Sequence, residues 1–151
     1  MEKDSRALAR ILFMSYVRIW VHVVFATRGH EPVLSVEARR LLFEHIRANC
    51  RVKGIFLDRI GGWSDHAHLL ISLGREQTVA KVLMLIKGES AHWLNQQQIF
   101  PGKFSWQDDY YAISVSESQV DRVRAYIDRQ EQHHKAVPFK KELVTLEKLT
   151  K

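Results

Sequence analysis

The sequence predicts an α+β fold: a ferredoxin-like (RRM-like) antiparallel sheet with two helices on one face, plus a C-terminal helix. Three observations predict it. Stretches with strand-like alternation fall at 16–27, 55–60 and 66–73, and an aromatic-rich one follows over 104–115. Two long stretches of helical spacing, 35–52 and 78–97, separate them, so the order reads β-α-β-β-α-β. The 151 residues suit one domain, and 46% apolar residues can fill one core.

Residues 1–14 are expected to form an extension outside the main core. Leu8, Ile11 and Leu12 have helical spacing, but the piece is short. Tyr16–Thr27 is expected to be a central strand. Val17, Ile19, Val21, Val23 and Phe25 face the core; Arg18, Trp20, His22 and Val24 form a second, partly covered face. His22 is expected there as a packed or hydrogen-bonded histidine near the candidate site. Ser35 can cap a helix to about Val52, with Ala38, Leu41, Leu42, His45 and Ile46 as its buried stripe. Arg39, Arg40, Arg47 and Arg51 are expected on its solvated side.

Ile55–Ile60 reads as the second strand, Gly61-Gly62 as a tight bend, and His66–Leu73 as the third strand, closing an antiparallel hairpin. Thr78 starts a helix to about Gln97, with Val79, Val82, Leu83, Ile86, Ser90, Trp93 and Leu94 at helical spacing. Gly88 inside it is about 1 kcal/mol worse than Ala, which a close approach of another backbone would explain. After Pro101-Gly102, residues Phe104, Trp106, Tyr110, Tyr111, Ile113 and Val115 make the aromatic strand region. Ser116 and Gln119 have capping-box spacing before a helix to about His134. The expected division is an extension (1–14), one domain (15–137) and a charged tail (138–151).

The formal charge of +6 favours a polyanionic partner, nucleic acid first, without separating DNA from RNA. A single cysteine, Cys50, excludes an internal disulfide and fits a reducing cytosol. No stretch reaches the roughly 18 apolar residues of a membrane span.

The chemistry concentrates in two places. His66 and His68 sit two apart on a strand and point the same way, so they can hold two cis positions of a divalent metal. Two half-exposed histidines on a sheet are the plainer alternative. On the last helix Val120, Val123 and Ile127 form the buried stripe, while Tyr126 and Gln130, four apart, share a flank. Alone, that pair is an ordinary half-buried tyrosine with a polar neighbour. Together with the histidines it is more specific. A tyrosine becomes an effective nucleophile on phosphorus when a metal polarises the phosphate. Two imidazoles and an amide oxygen suit Mg2+ or Mn2+ held jointly with substrate.

The runs Asp65-His66-Ala67-His68-Leu69-Leu70, Ser114-Val115-Ser116-Glu117-Ser118-Gln119 and Tyr126-Ile127-Asp128-Arg129-Gln130-Glu131-Gln132-His133-His134 resemble the IS200/IS605-type transposases. These are single-tyrosine (Y1) members of the HUH endonucleases. Val23–Leu34 and Trp106–Tyr110 are similar to the same family, and the likeness runs from about residue 15 to 137. The resemblance implies that His66 and His68 are the metal pair and that Gln130 is the third metal ligand. It implies that Tyr126 is the nucleophile, leaving a 5′-phosphotyrosine and a free 3′-OH. It implies single-stranded DNA with hairpin ends as substrate, a cytosolic site of action at the DNA, and a homodimer in which the tyrosine helix can serve the other subunit. One form of dimer would pair strand Tyr16–Thr27 with its counterpart.

Two positions depart from the family pattern. Ala67 is smaller than usual, which implies a small cavity, and Ser64 stands where proline is common, which would loosen the turn. Asp65 is a candidate to orient a histidine, or simply a turn residue. Lys81, Lys87, Arg122 and Arg129 are candidate phosphate contacts. Trp63, Trp106, Tyr110 and Tyr111 can stack on bases, although core packing suits most of them better. The alternatives are a domesticated relative acting on chromosomal repeated hairpins, a non-catalytic nucleic-acid-binding module on the same fold, or a metal hydrolase without a covalent step.

Overall fold

A computed structural model describes residues 15–134, so the expected extension and tail lie outside the described residues. Four strands form one antiparallel sheet: β1 (Ile19–Ala26), β2 (Phe56–Trp63), β3 (His66–Leu73) and β4 (Tyr111–Val115), in the order β2-β3-β1-β4. The helices are α1 (Val36–Val52), α2 (Val79–Gln96), α3 (Val120–Asp128) and the short α4 (Gln130–His134). This is the predicted ferredoxin-like arrangement.

The alternation along the strands divides the molecule into two cores. Val21, Val23 and Phe25 of β1 and Ala67, Leu69, Ile71 and Leu73 of β3 meet Leu42, Ile46 and Cys50 of α1 and Val82, Leu83, Ile86 and Leu94 of α2. On the opposite face Trp20, Leu70 and Val115 meet Val120, Val123 and Ile127. Burying a valine or isoleucine of that stripe contributes about 1.5–3 kcal/mol, enough to hold a nine-residue helix against the sheet. The second face of β1 is therefore covered rather than partly open: Trp20, His22 and Val24 are all buried.

Local signals set the helix starts. Ser35 accepts from the Ala38 amide at 3.2 Å and Thr78 from the Lys81 amide at 3.2 Å, each satisfying an amide that the helix leaves over. The capping box at Ser116 does not form. Its side chain makes no cap bond, and Ser116 instead precedes a short 3-10 turn, Glu117–Gln119. Glu117 accepts from Trp20 Nε1 at 2.6 Å, tying the start of α3 to β1.

Several expectations need correction. Gly61-Gly62 is not a bend: β2 runs through both glycines to Trp63, and Ser64-Asp65 makes the turn. The regular part of the aromatic region is only Tyr111–Val115, with a single bridge between Thr27 and Trp106 upstream. Leu41 is exposed, whereas Arg39 is buried, its guanidinium donating to the Leu34 carbonyl at 2.8 Å and lying 4.9 Å from the Trp63 ring centre. Among the described residues Gly88 has no neighbour within 4 Å of where a Cβ would stand, so no described backbone approaches it. The last helix breaks at Arg129, giving α3 and α4 instead of one element. Finally, β1 has both edges occupied, by β3 and β4, so it cannot pair with a second copy across a two-fold axis.

Candidate active site

β3 begins at His66 because the turn before it is pinned from two sides. The Leu34 amide donates to the Ser64 carbonyl at 2.9 Å, and the Thr27 amide to the Asp65 carbonyl at 2.8 Å. The turn expected to be loosened by Ser64 is thus tied to the ends of β1 and α1. From it, pleating sends His66 and His68 to the face that α3 covers, while Ala67 lies fully buried in the other core. The two imidazole centres are 5.0 Å apart, and both rings are fully buried.

The opposite wall comes from α3 and α4. Arg124 binds both carboxylate oxygens of Asp58 on β2, at 2.7 and 2.8 Å, and also reaches Asp121 at 2.8 Å. The Arg124 hydrogen bond holds the Asp58 carboxyl below the usual carboxylate range. Glycine at 61 lets α3 come close: a Cβ there would stand 2.5 Å from the Ile127 carbonyl oxygen. Gly62 is equally crowded, by the His66 carbonyl. This packing brings the half-buried Tyr126 edge-on to His68, with ring centres 5.7 Å apart.

The helical break does not separate Tyr126 from Gln130. The Gln130 amide nitrogen donates to the Tyr126 carbonyl at 3.3 Å, which turns its Oε1 toward His66 Nε2, 3.4 Å away. Gln130 is 1% exposed. One residue further, Glu131 pairs with the buried Arg39 at 3.2 Å and joins α4 to α1.

Asp65 is both the turn residue and the histidine partner. Its Oδ1 lies 2.7 Å from His66 Nδ1. In the neutral imidazole this contact puts the proton on Nδ1 and the lone pair on Nε2. His66 Nε2 and Gln130 Oε1 are then two acceptors converging on one point. That arrangement fits a cation, with His68 beside it as a further nitrogen donor. Among the described residues no three His, Cys, Asp or Glu side chains gather into a metal cage.

His22 also belongs to this site. Its Nε2 lies 3.0 Å from His68 Nδ1, and its ring centre lies 6.2 Å from that of Tyr126. Its parity with Trp20 and Val24 placed it on this face, but nothing local to the sequence singled it out as a partner of His68.

The cationic candidates are scattered. Lys81, Arg122 and Arg129 are exposed. Lys87 is engaged within the fold: Nζ donates to the carbonyls of Gln107 and Asp108 at 2.6 and 2.8 Å, and burial pushes its pKa down. Trp106 is a core residue, donating to Ser90 Oγ at 3.0 Å and standing edge-on to Phe25. Trp63 and Tyr111 are half-buried and Tyr110 is exposed.

Comparison with known proteins agrees with this architecture. The family model described as "Transposase IS200 like" matches residues 15–130. No curated protein matches the chain. Among solved structures, a protein from Deinococcus radiodurans R1 described as a candidate transposase shares 23% identity. It covers 77% of this chain and 93% of its own, with a TM-score of 0.63. A REP-associated tyrosine transposase bound to a REP hairpin shares 14% identity, with 82% and 73% coverage and a TM-score of 0.61. At these identities the two structures speak for the fold.

Proposed function

Since the chain belongs to the IS200-like transposase family, we propose that it cuts and rejoins single-stranded DNA through a 5′-phosphotyrosine on Tyr126, at a metal held by His66, His68 and Gln130. The observation that carries this reading is the convergence of His66 Nε2 and Gln130 Oε1, 3.4 Å apart, beside a tyrosine on the preceding turn of helix.

In the proposed reaction the Tyr126 oxygen forms a bond to a DNA phosphorus and the bond from phosphorus to the 3′ oxygen breaks. The phenolic proton is lost and the departing oxygen gains one, so the strand leaves with a 3′-OH. One phosphodiester replaces another, and a 3′-OH attacking the phosphotyrosine reverses the step without ATP. When bound, Mg2+ or Mn2+ would draw charge from the phosphate oxygens as they become more negative. Asp65 orients His66 for this, and Gln130 is held by the Tyr126 carbonyl, so ligand and nucleophile are positioned together. Hairpin-bearing DNA is the proposed substrate, in keeping with the hairpin bound to the REP-associated neighbour. Lys81, Arg122 and Arg129 are the proposed phosphate contacts. A homodimer is part of the proposal, as is action at cytosolic DNA. Among the described residues no helix is long and apolar enough to cross a membrane.

The test is a covalent-adduct assay. Protein is incubated with Mn2+ or Mg2+ and single strands bearing hairpins from the DNA that flanks its coding sequence, then run on a denaturing gel. A 3′ label should stay with the protein and a 5′ label should leave on a free 3′-OH strand. The adduct should vanish in Tyr126→Phe and with chelator, while the variant still binds the DNA. Nicking that persists in Tyr126→Phe would replace the covalent mechanism with metal-dependent hydrolysis. Binding without any adduct in the unaltered protein would mark a binding module.

A further inference from the structure

We propose that His22 is a positioning residue for the metal: its Nε2 accepts a hydrogen bond from His68 Nδ1–H and thereby leaves the lone pair of His68 on Nε2 for the metal. The proposal rests on the reading of His66, His68 and Gln130 as ligands, and deepens it.

Two imidazole nitrogens 3.0 Å apart need one proton between them. If His22 Nε2 donates it, His68 carries its own proton on Nε2 and cannot offer that nitrogen to a cation. If His68 Nδ1 donates it, the lone pair lies on Nε2. The second arrangement matches what Asp65 does for His66 at 2.7 Å. Each histidine of the pair then has its Nδ1 proton held by a partner and its lone pair on Nε2, as ligand histidines generally require.

The position of His22 suits that task. It lies in the central strand, opposite Leu70 of β3 on one side and Ile113 of β4 on the other, so its backbone is held on both edges. It is fully buried, with a ring tilted 38° to that of His68 and centres 5.2 Å apart. Its neighbours on the same face of β1 are Trp20 and Val24, both buried. A buried imidazole left unsatisfied costs about 1–3 kcal/mol, which the contact with His68 offsets.

Two measurements on the full chain test this. The first is long-range 1H–15N correlation of the imidazoles in metal-free protein at pH 8, with His68 assigned from its loss in His68→Gln. The expected result is a proton on His68 Nδ1; a proton on Nε2 overturns the proposal. The second is Mn2+ titration by calorimetry of the unaltered protein, His22→Leu, His22→Gln and His66→Ala. Losing the acceptor in His22→Leu should weaken Mn2+ about 10–100-fold. The amide oxygen of His22→Gln should restore affinity to within a few fold. Unchanged affinity in His22→Leu overturns the proposal. Unchanged affinity in His66→Ala overturns the ligand reading instead, and the tautomer of His68 still reports on His22. If His22→Leu fails to fold, the tautomer and the His22→Gln titration decide.

Discussion

Replacing Gly61 with alanine should damage the site without touching any group in it. The new Cβ would stand 2.5 Å from the Ile127 carbonyl oxygen and 3.1 Å from Ile127 Cγ2. The first distance is roughly 1 Å short of ordinary contact, and the obstructing atom is backbone rather than a side chain that can turn away. Either β2 or the end of α3 must move. β2 is paired with β3 through Gly61 and His68, so the helix is the softer partner. Overpacking of this kind costs about 1–3 kcal/mol. Tyr126 and Gln130 flank Ile127, and a shift of about 1 Å at a reacting group lowers a rate about 100-fold. The assay is single-turnover adduct formation with 3′-labelled DNA, run beside a thermal melt. Gly102→Ala serves as control, because among the described residues no atom lies within 4 Å of its Cβ position. Gly61→Ala should lose several degrees in Tm and about two orders of magnitude in adduct rate, and Gly102→Ala neither. A Gly61→Ala protein that melts lower but reacts within threefold of the unaltered rate would refute the view that this contact positions Tyr126.

Gly88→Ala should be stabilising by about 0.5–1 kcal/mol, raising Tm by a few degrees, because the residue is exposed, inside α2 and uncrowded; a lower Tm would show a contact that this conformation lacks. Asp58→Asn should destabilise by about 1–3 kcal/mol at pH 7, since it breaks the charged pair with Arg124. The Asp58 carboxyl is held below its ordinary value, so its contribution is complete above about pH 4 and is lost as pH falls through the folded value. The gap between the urea midpoints of the two proteins should therefore narrow as pH falls below about 4, and a gap that stayed constant would count against the pair as its source. The Cys50 thiol is pushed up to about 11 by burial. It should not react with a thiol reagent at pH 8 until the protein is unfolded; rapid labelling of the native state would contradict the packing of α1.

The order of elements was legible because it depends on period. Alternation over His66–Leu73 and helical spacing over 35–52 and 78–97 survive in the structure nearly to the residue, while the strand expected over Tyr16–Thr27 is regular only from Ile19 to Ala26. Ser35 and Thr78 cap as their chemistry requires, since a cap is a contact three residues long. The pleat also determined that His66 and His68 share a face, and the helical repeat that Tyr126 and Gln130 share a flank. Other expectations failed where the deciding contact was remote in sequence. Gly61-Gly62 looked like a bend, but is strand made of glycine because the Ile127 and His66 carbonyls stand where Cβ atoms would be. Arg39 looked solvated, but Glu131, 92 residues away, and the Trp63 ring draw it inward. Ser116 had capping-box spacing, yet Glu117 is held by Trp20 and a 3-10 turn comes first.

The same division holds at the site. Local periodicity alone determined which side chains leave each element on a common face, because backbone geometry fixes side-chain direction within a few residues. Only the tertiary structure decided that α3 crosses the histidine face of the sheet, that Gln130 Oε1 ends 3.4 Å from His66 Nε2, and that His22 ends 3.0 Å from His68. Those distances follow from how closely two packed surfaces approach. That approach is set by the Arg124–Asp58 pair, the buried stripe Val120, Val123 and Ile127, and the missing Cβ at Gly61, and no single stretch of chain contains all three.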